Sequence, residues 1–229
     1  MEFHGFQKMT LLDYPGKVAC TLFTAGCNFR CPFCHNAGLV TAPQADEVYP
    51  EEEILAYLQK RRGLLDGVAV TGGEPLMHPG LPDFLGRVKA LGYAVKLDTN
   101  GSYPAALKAV VAAGLVDRVA MDIKNAPEKY PETVGFAVGA DAVRESVEFL
   151  LSGAVDYEFR TTVVAEYHTV EDIAAAARWI AGAGAYFLQG FVDSGNLIGR
   201  DLHPVPRETM EKMRDAAAVW VPETQIRGD

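Results

Sequence analysis

The sequence has few cysteines, no long apolar run and no excess of basic residues. Only four of its 229 residues are cysteine, so we expect reduced thiols rather than a small scaffold held together by disulfides. No apolar stretch approaches the ~20 residues of a membrane span. The formal net charge is −9, whereas a nucleic-acid partner requires a basic face. We therefore expect a cytoplasmic protein that contacts neither membrane nor nucleic acid.

Strand-like and helix-like segments alternate six times along the chain. This alternation predicts an α/β fold with a parallel sheet and right-handed crossovers. The length and the count favour a parallel (β/α)6 partial TIM barrel in one domain spanning residues 1–229, with a doubly wound sheet as the alternative. The core is expected at about 18–192 and a final helix at about 207–220. The six predicted strands cover residues 18–24, 67–70, 93–97, 118–123, 157–164 and 186–192.

Three cysteines lie close together after the first predicted strand. Cys27, Cys31 and Cys34 have the spacing C-x3-C-x2-C, which lets three thiolates from one short loop share an inorganic centre. A four-iron cluster normally takes four cysteine ligands, so three would leave one iron open to bind and activate a small molecule. Structural zinc is the alternative, but His35 directly follows Cys34 and Cys20 lies within a predicted strand.

Other polar residues follow the ends of the predicted strands, where the chemistry of parallel barrels is found. Lys96 and Asp98 share one face of the third strand, and Asp122 and Lys124 share one face at the end of the fourth. Buried charges are costly unless they are paired or bind a ligand. The pattern therefore favours either a charged, zwitterionic ligand or a self-satisfied network of charges.

At this point the sequence resembles the radical S-adenosylmethionine (SAM) superfamily. The resemblance rests on the cysteine spacing, with Phe33 before the last cysteine, and on Gly72-Gly73-Glu74-Pro75. Asp98-Thr99-Asn100-Gly101 and Asp122-Ile123-Lys124 resemble the activating enzymes of glycyl radical enzymes. The stretches around 11–16 and 27–36 look most like the activating proteins of anaerobic ribonucleoside-triphosphate reductase.

The resemblance implies a role for each matching residue. Three cysteines would hold a [4Fe-4S] cluster, and the open iron would chelate the amino and carboxylate groups of SAM. Around SAM, the resemblance implies the following contacts: Phe33 beside the adenine; Gly72, Gly73 and Glu74 at the amino group; Asp98 and Asp122 lining the cofactor or a monovalent-cation site; Lys124 and Arg160 at the carboxylate or the ribose; and Asn100 at the cofactor. Where the family often has a histidine, this chain has Gln189, which is expected to substitute for it.

The implied reaction is a reductive cleavage of SAM. An external reductant such as flavodoxin or ferredoxin supplies an electron, and the resulting 5′-deoxyadenosyl radical removes hydrogen from a glycine of a partner glycyl radical enzyme. Asp13, His35 and Asn36 are candidates to hold the partner's glycine loop. The alternative is a small-molecule radical SAM enzyme such as a 7-carboxy-7-deazaguanine synthase-like protein.

The remaining polar residues are assigned no role. His4, His78, His168 and His203 lie in polar or loop contexts, and we expect them to be solvated. Cys20 is expected to be a small core residue. Residues 1–17 are expected to be irregular and residues 227–229 to form a disordered tail.

Overall fold

A computed structural model describes residues 1–42, 48–135 and 140–228. The chain divides into two compact units. The first contains Met1–Asn28, Gly38–Thr99 and Tyr103–Val119, and the second contains Phe29–Ala37, Asn100–Ser102 and Ala120–Asp229. Within the described ranges, no helix has both the length and the apolar character needed to cross a bilayer.

The first unit is built on parallel strands with an antiparallel strand at the edge. Strand β2 pairs antiparallel with β3, β3 pairs parallel with β5, and β5 pairs parallel with β6. A separate antiparallel pair joins β1 and β4. The bounds are β1 Glu2–Phe3, β2 Gly5–Thr10, β3 Ala19–Thr24, β4 Tyr49–Pro50, β5 Gly67–Gly72 and β6 Ala94–Thr99.

The second unit continues the same pattern. Strand β8 pairs parallel with β9, and β9 pairs parallel with β10. Strand β7, whose last three residues belong to this unit, lies next to β8 in the sheet. The bounds are β7 Arg118–Asp122, β8 Asp156–Val163, β9 Tyr186–Gly190 and β10 Thr224–Arg227.

Helices follow the strands, and their ends obey local rules. Helix α2 carries Glu51, Glu52 and Glu53 in its first turn and Lys60 in its last, which complements the helix dipole. Helix α7 begins with a capping box, in which the side chains of Thr169 and Asp172 each accept a backbone N–H of the first turn. The bounds are α1 Ala37–Thr41, α2 Glu51–Lys60, α3 Leu81–Ala90, α4 Pro104–Ala112, α5 Tyr130–Val134, α6 Asp141–Leu151, α7 Val170–Trp179 and α8 Arg207–Ala218.

The structure confirms the α/β class and the six strand–helix repeats, and it corrects both chain ends. Residues 1–17 were expected to be irregular, but they contain β1 and β2. The predicted disordered tail is wrong for Arg227, which lies in β10, while Asp229 falls outside the described residues. The single-domain organisation over residues 1–229 remains a prediction. Cys20 is buried in β3, as expected, and burial raises the pKa of its thiol to about 12.

Strand β10 is attached to the second unit by an ion pair. Arg227 Nη1 lies 2.8 Å from Glu158 Oε1, and its Nη2 lies 3.2 Å from Oε2. The Glu158 side chain is only 1% exposed, and the Arg227 guanidinium stacks on the Phe187 ring at 3.2 Å from the centroid. A carboxylate this deeply buried needs its cationic partner.

Arg227→Ala is therefore expected to lower the free energy of unfolding by about 3 kcal/mol, because it leaves the Glu158 charge buried without this partner. Urea unfolding followed by circular dichroism measures the change. Arg214→Ala is the matched control, because Arg214 pairs with Asp215 on the exposed face of α8 and such pairs contribute less than about 1 kcal/mol. Equal effects of the two variants would contradict the structural role of Arg227.

Candidate active site

A tight turn in the second unit holds two of the three motif cysteines. The Cys34 N–H donates to the Cys31 carbonyl at 3.0 Å, and Pro32 occupies the second turn position, where its fixed φ is favourable. The Pro32 carbonyl accepts the Gly199 N–H at 2.7 Å. The turn is preceded by Arg30, whose N–H donates to the Val134 carbonyl at 2.7 Å. Backbone bonds from two distant segments thus fix the position of this loop.

In the first unit, Cys27 follows a glycine that is locked in place. The Gly26 N–H donates to the Leu39 carbonyl at 2.8 Å, and the Gly26 carbonyl accepts the Glu74 N–H at 2.9 Å. A Cβ on Gly73 would lie 1.7 Å from the Gly26 oxygen. Gly72 has φ +114°, and a Cβ there would lie 2.4 Å from the backbone of Thr24. Both positions therefore require glycine, because an added side chain would block the close approach of the two backbones. Gly26, which Gly73 approaches, directly precedes Cys27.

The Glu74 carboxylate is fully buried and well ordered by hydrogen bonds. Its Oε1 accepts the Leu76 N–H at 3.0 Å and the Thr99 hydroxyl at 2.8 Å. The first of these bonds caps the 3₁₀ turn Pro75–Met77. Burial, followed by the charges of Glu74 and Cys27, raises the pKa of Tyr103. Glu74 and Cys27 thus both lie within electrostatic reach of Tyr103. Neither Thr99 nor Tyr103 was assigned a role from the sequence.

The polar faces predicted for β6 and the end of β7 carry ion pairs. In the first unit, Lys96 is 2% exposed and pairs with the Asp98 carboxylate. In the second unit, Asp122 lies between two cations, with Oδ2 3.0 Å from Lys124 Nζ and Oδ1 3.1 Å from Arg160 Nε. A monovalent cation at either carboxylate would compete with these fixed cations. The monovalent-cation site remains a prediction.

Charge neutralisation dominates the titration of this triad. Burial alone would raise the pKa of Asp122, but Arg160 and Lys124 lower it to about 2. Burial alone would lower the pKa of Lys124, but the charges of Asp122, Cys31 and Cys34 raise it. Since the folded-state pKa of Asp122 is depressed, its contribution to stability is present above pH ~4 and is lost only as the pH falls toward 2. The triad is therefore fully charged at neutral pH.

The other predicted site residues are placed as follows. Asn100 Oδ1 accepts the Ser102 N–H at 2.9 Å and the Ser102 hydroxyl at 2.5 Å, forming a local turn. Gln189 lies in β9, in register with Thr162 of β8 and Arg227 of β10. Asp13 Oδ2 accepts the Thr21 hydroxyl at 2.5 Å.

Next to Cys34, the His35 ring packs edge-on against Phe191 at 5.7 Å. Burial, then Lys124, lowers the pKa of His35 against the opposing effect of Asp193, so the ring is neutral at pH 7. Asn36 follows in the same loop.

One histidine contradicts its sequence-based expectation. His168 was expected to be solvated, but it is 3% exposed. The ring centroids of His168 and Phe33 are 5.9 Å apart, and those of Tyr167 and Phe33 are 5.7 Å apart. Phe33 therefore packs against two aromatic rings of the protein itself. Its expected place beside an adenine remains a prediction.

The donor chemistry of the cysteine loop fits an iron–sulfur cluster. The four cysteines are not joined in disulfides; Cys31 is buried, and Cys27 and Cys34 are half-buried. Among residues 1–42, 48–135 and 140–228, no group of three His, Cys, Asp or Glu side chains that could hold a metal ion is present. A cubane differs from a single ion, because its thiolates bind different irons of the cluster.

The family model for the Radical SAM superfamily matches residues 21–180. Over 196 residues, the chain is 28% identical to a putative glycyl-radical enzyme activating enzyme of Methanocaldococcus jannaschii, covering 82% of this chain and 78% of that protein. It is 31% identical over 93 residues to the anaerobic ribonucleoside-triphosphate reductase-activating protein of Salmonella typhi, covering 40% of this chain and 60% of that one.

Two further similarities are shorter or structural. A 95-residue match, 37% identical, to a 7-carboxy-7-deazaguanine synthase of Halobacterium salinarum covers 40% of this chain and 36% of that protein. The chain thus spans less than two thirds of that relative and of the Salmonella typhi protein. A solved domain of a pyruvate-formate lyase-activating enzyme from Bacteroides vulgatus shares the fold, with TM-score 0.58 and 17% identity over 71% of this chain and 99% of that one.

Proposed function

We propose that this chain, which belongs to the radical SAM superfamily, generates a glycyl radical on a partner enzyme of the anaerobic ribonucleotide reductase type. The chain is an enzyme whose cofactors are a [4Fe-4S] cluster and SAM. The observation that best supports the finer proposal is the match to a putative glycyl-radical enzyme activating enzyme over most of both chains.

We assign the cluster to Cys27, Cys31 and Cys34. Their spacing and their reduced thiols support this assignment. The backbone hydrogen bonds of Gly26, Arg30 and Pro32, which adjoin Cys27 and Cys31 in the chain, also support it. Held by these three cysteines, the cluster would supply an electron, taken from an external reductant such as flavodoxin or ferredoxin, for the reductive cleavage of SAM to methionine and the 5′-deoxyadenosyl group that would take hydrogen from a glycine Cα. The chain's own residues bind and orient SAM and the partner loop, and exclude water.

One role in this proposal is recognition of the SAM amino group. We assign this role to Gly72, Gly73 and Glu74, because a buried carboxylate is a strong acceptor for an ammonium group. The Thr99 hydroxyl and the Leu76 N–H both bind Glu74 Oε1, which fixes the orientation of the carboxylate. Asp98, paired with Lys96, is assigned to the cofactor lining.

A second role is recognition of the SAM carboxylate and ribose. The triad of Asp122, Lys124 and Arg160 holds two cations around one carboxylate, so its net charge suits an anionic group. The charges of Cys31 and Cys34 also raise the pKa of Lys124. This proximity to two of the motif cysteines supports the assignment of Lys124 to the carboxylate end of SAM. Phe33, Asn100 and Gln189 are assigned to the remaining cofactor contacts.

The partner's glycine loop is assigned to Asp13, His35 and Asn36. His35 and Asn36 directly follow Cys34 in the sequence. A partner loop that binds these two residues would therefore lie close to a proposed cluster ligand. The neutral His35 ring, held against Phe191, can donate or accept a hydrogen bond to a peptide group.

The alternative is a small-molecule radical enzyme that acts on a heterocycle. The short match to a 7-carboxy-7-deazaguanine synthase favours it, but that match covers a smaller share of both chains than the match to the activating enzyme. The two functions differ in whether the hydrogen donor is a protein or a heterocycle.

Anaerobic incubation of the reconstituted enzyme, SAM and a reductant with glycyl radical enzymes of the source organism discriminates between the two. We expect a glycine-centred doublet in the electron paramagnetic resonance spectrum, which disappears when the partner's radical-site glycine is replaced by alanine. SAM cleavage that no glycyl radical enzyme stimulates, together with turnover of a deazaguanine precursor, would support the alternative instead.

A further inference from the structure

His168 contacts three parts of the second unit at once. It lies after β8, and its Nε2 is 2.8 Å from the Lys124 carbonyl oxygen. Its Nδ1 is 3.0 Å from the Val164 nitrogen and 3.2 Å from the Val164 oxygen. The same ring packs edge-on against Phe33 in the cysteine loop. One buried side chain therefore joins the end of β8, Lys124 just after β7, and Phe33 in the cysteine loop.

The contacts fix which ring nitrogen carries the proton. The Val164 N–H can only donate, so Nδ1 accepts, and the Lys124 carbonyl can only accept, so Nε2 donates. The tautomer with the proton on Nε2 bonds both the Val164 N–H and the Lys124 carbonyl. The other tautomer can bond neither of these two groups. The Val164 oxygen already accepts the N–H groups of Tyr167 and His168. His168 is therefore a neutral ring whose Nε2–H points at Lys124.

The Lys124 peptide is held from both sides. Its N–H donates to the Tyr130 hydroxyl oxygen at 3.1 Å, and its carbonyl accepts the His168 Nε2–H. The adjacent Asn125 side chain donates to the Tyr167 carbonyl at 2.9 Å, so two successive residues after β7 are bound to two successive residues after β8. The Lys124 side chain then extends from this fixed backbone to Asp122.

We propose that His168 is a positioning residue for SAM binding: its Nε2–H fixes the Lys124 peptide, and thereby the direction in which the Lys124 ammonium is presented. This inference rests on the proposed function, which assigns Lys124 to SAM. His168 itself touches no substrate group. It acts through the Lys124 backbone, while its ring supports the cysteine loop through Phe33.

Two amide substitutions separate the two ring nitrogens. The glutamine amide of His168→Gln can place an N–H donor where Nε2 lies, whereas the shorter asparagine of His168→Asn can replace only Nδ1. We expect His168→Asn to weaken SAM binding about tenfold, as expected for the loss of one buried hydrogen bond, and His168→Gln to bind within about threefold of the wild-type enzyme. Anaerobic calorimetric titration of SAM into reconstituted enzyme measures the affinity, and iron content is measured in parallel.

His203→Asn is the matched control, because the His203 side chain is exposed and, among the residues that the structure describes, bonds Glu166 alone. Tight SAM binding by folded His168→Asn, or equal losses in both His168 variants, would overturn the positioning role. If the wild-type enzyme binds no SAM, the proposed function fails and this inference fails with it.

A further measurement does not depend on how well the variants fold. In the full-length wild-type chain, the ¹⁵N chemical shifts of the His168 imidazole should report a neutral ring with its proton on Nε2. A proton on Nδ1 would contradict the proposed contact with Lys124.

Discussion

Cys31→Ala is expected to abolish reductive SAM cleavage and to remove most of the bound iron. Two thiolates would remain, which is too few to hold a cluster that already has one ligand fewer than usual. Cys31 is the buried member of the three, and it closes the turn with the Cys34 N–H. Iron and sulfide analysis after anaerobic reconstitution measures the loss, and chromatography of 5′-deoxyadenosine measures the activity.

Cys20→Ala is the matched control for this experiment. Cys20 is also a free, buried cysteine, but it lies within β3, where burial keeps its thiol protonated. The Cys20→Ala variant should retain iron and activity, and the small cavity should lower its free energy of unfolding by no more than about 1–2 kcal/mol. Retained cleavage in Cys31→Ala would remove the cluster assignment, and loss of iron in Cys20→Ala would require a different ligand set.

Gly73→Ala is expected to have the second-largest effect, although glycine carries no functional group. The added Cβ would overlap the Gly26 oxygen at 1.7 Å, so the backbone beside Cys27 must move. Forcing extra volume into a packed site costs about 1–3 kcal/mol and sometimes more. We expect a destabilisation of about 3 kcal/mol, together with the loss of most of the bound iron, measured by urea unfolding and iron analysis.

Gly184→Ala provides the comparison for the glycine experiment. Gly184 has no atom within 4 Å of an added Cβ, and its φ lies outside the positive region. Its replacement should change the free energy of unfolding by less than about 1 kcal/mol and should leave the iron content unchanged. If Gly73→Ala behaves like Gly184→Ala, then the close approach between Gly73 and Gly26 does not determine the position of the cysteine loop.

Features with a local cause could be predicted from the sequence. The capping box of Thr169 and Asp172 and the acidic first turn of α2 depend on residues a few positions apart. The alternation of strands and helices likewise follows local periodicity. The pairing of Lys96 with Asp98 and of Lys124 with Asp122 follows from strand alternation, since residues two apart share one face.

Features that depend on distant residues could not be predicted in this way. The burial of His168 depends on Lys124, which is 44 positions away, and on Phe33, which is still farther along the chain. Strand β10 is short, and Arg227 is ordered through Glu158, 69 positions earlier. No local pattern distinguishes such a histidine from a solvated one, or such a strand from a frayed terminus.

Glycines in the Gly72-Gly73-Glu74 motif illustrate the difference. From the sequence they are interpreted as room for a ligand to approach the backbone. In the structure the neighbour that approaches them is the protein's own chain at Thr24 and Gly26. The motif therefore supports the cysteine-bearing segment in addition to its proposed contact with SAM, so that its substitution should affect cluster content as well as SAM affinity.

The central claim is that hydrogen passes from a glycine of the partner protein to the nucleoside. Its most direct test is anaerobic incubation of the reduced enzyme and SAM with a partner glycyl radical enzyme labelled with deuterium at glycine Cα. The account predicts 5′-deoxyadenosine carrying one deuterium, formed together with the glycine-centred doublet. Unlabelled 5′-deoxyadenosine as the sole nucleoside product, with no doublet, would contradict it.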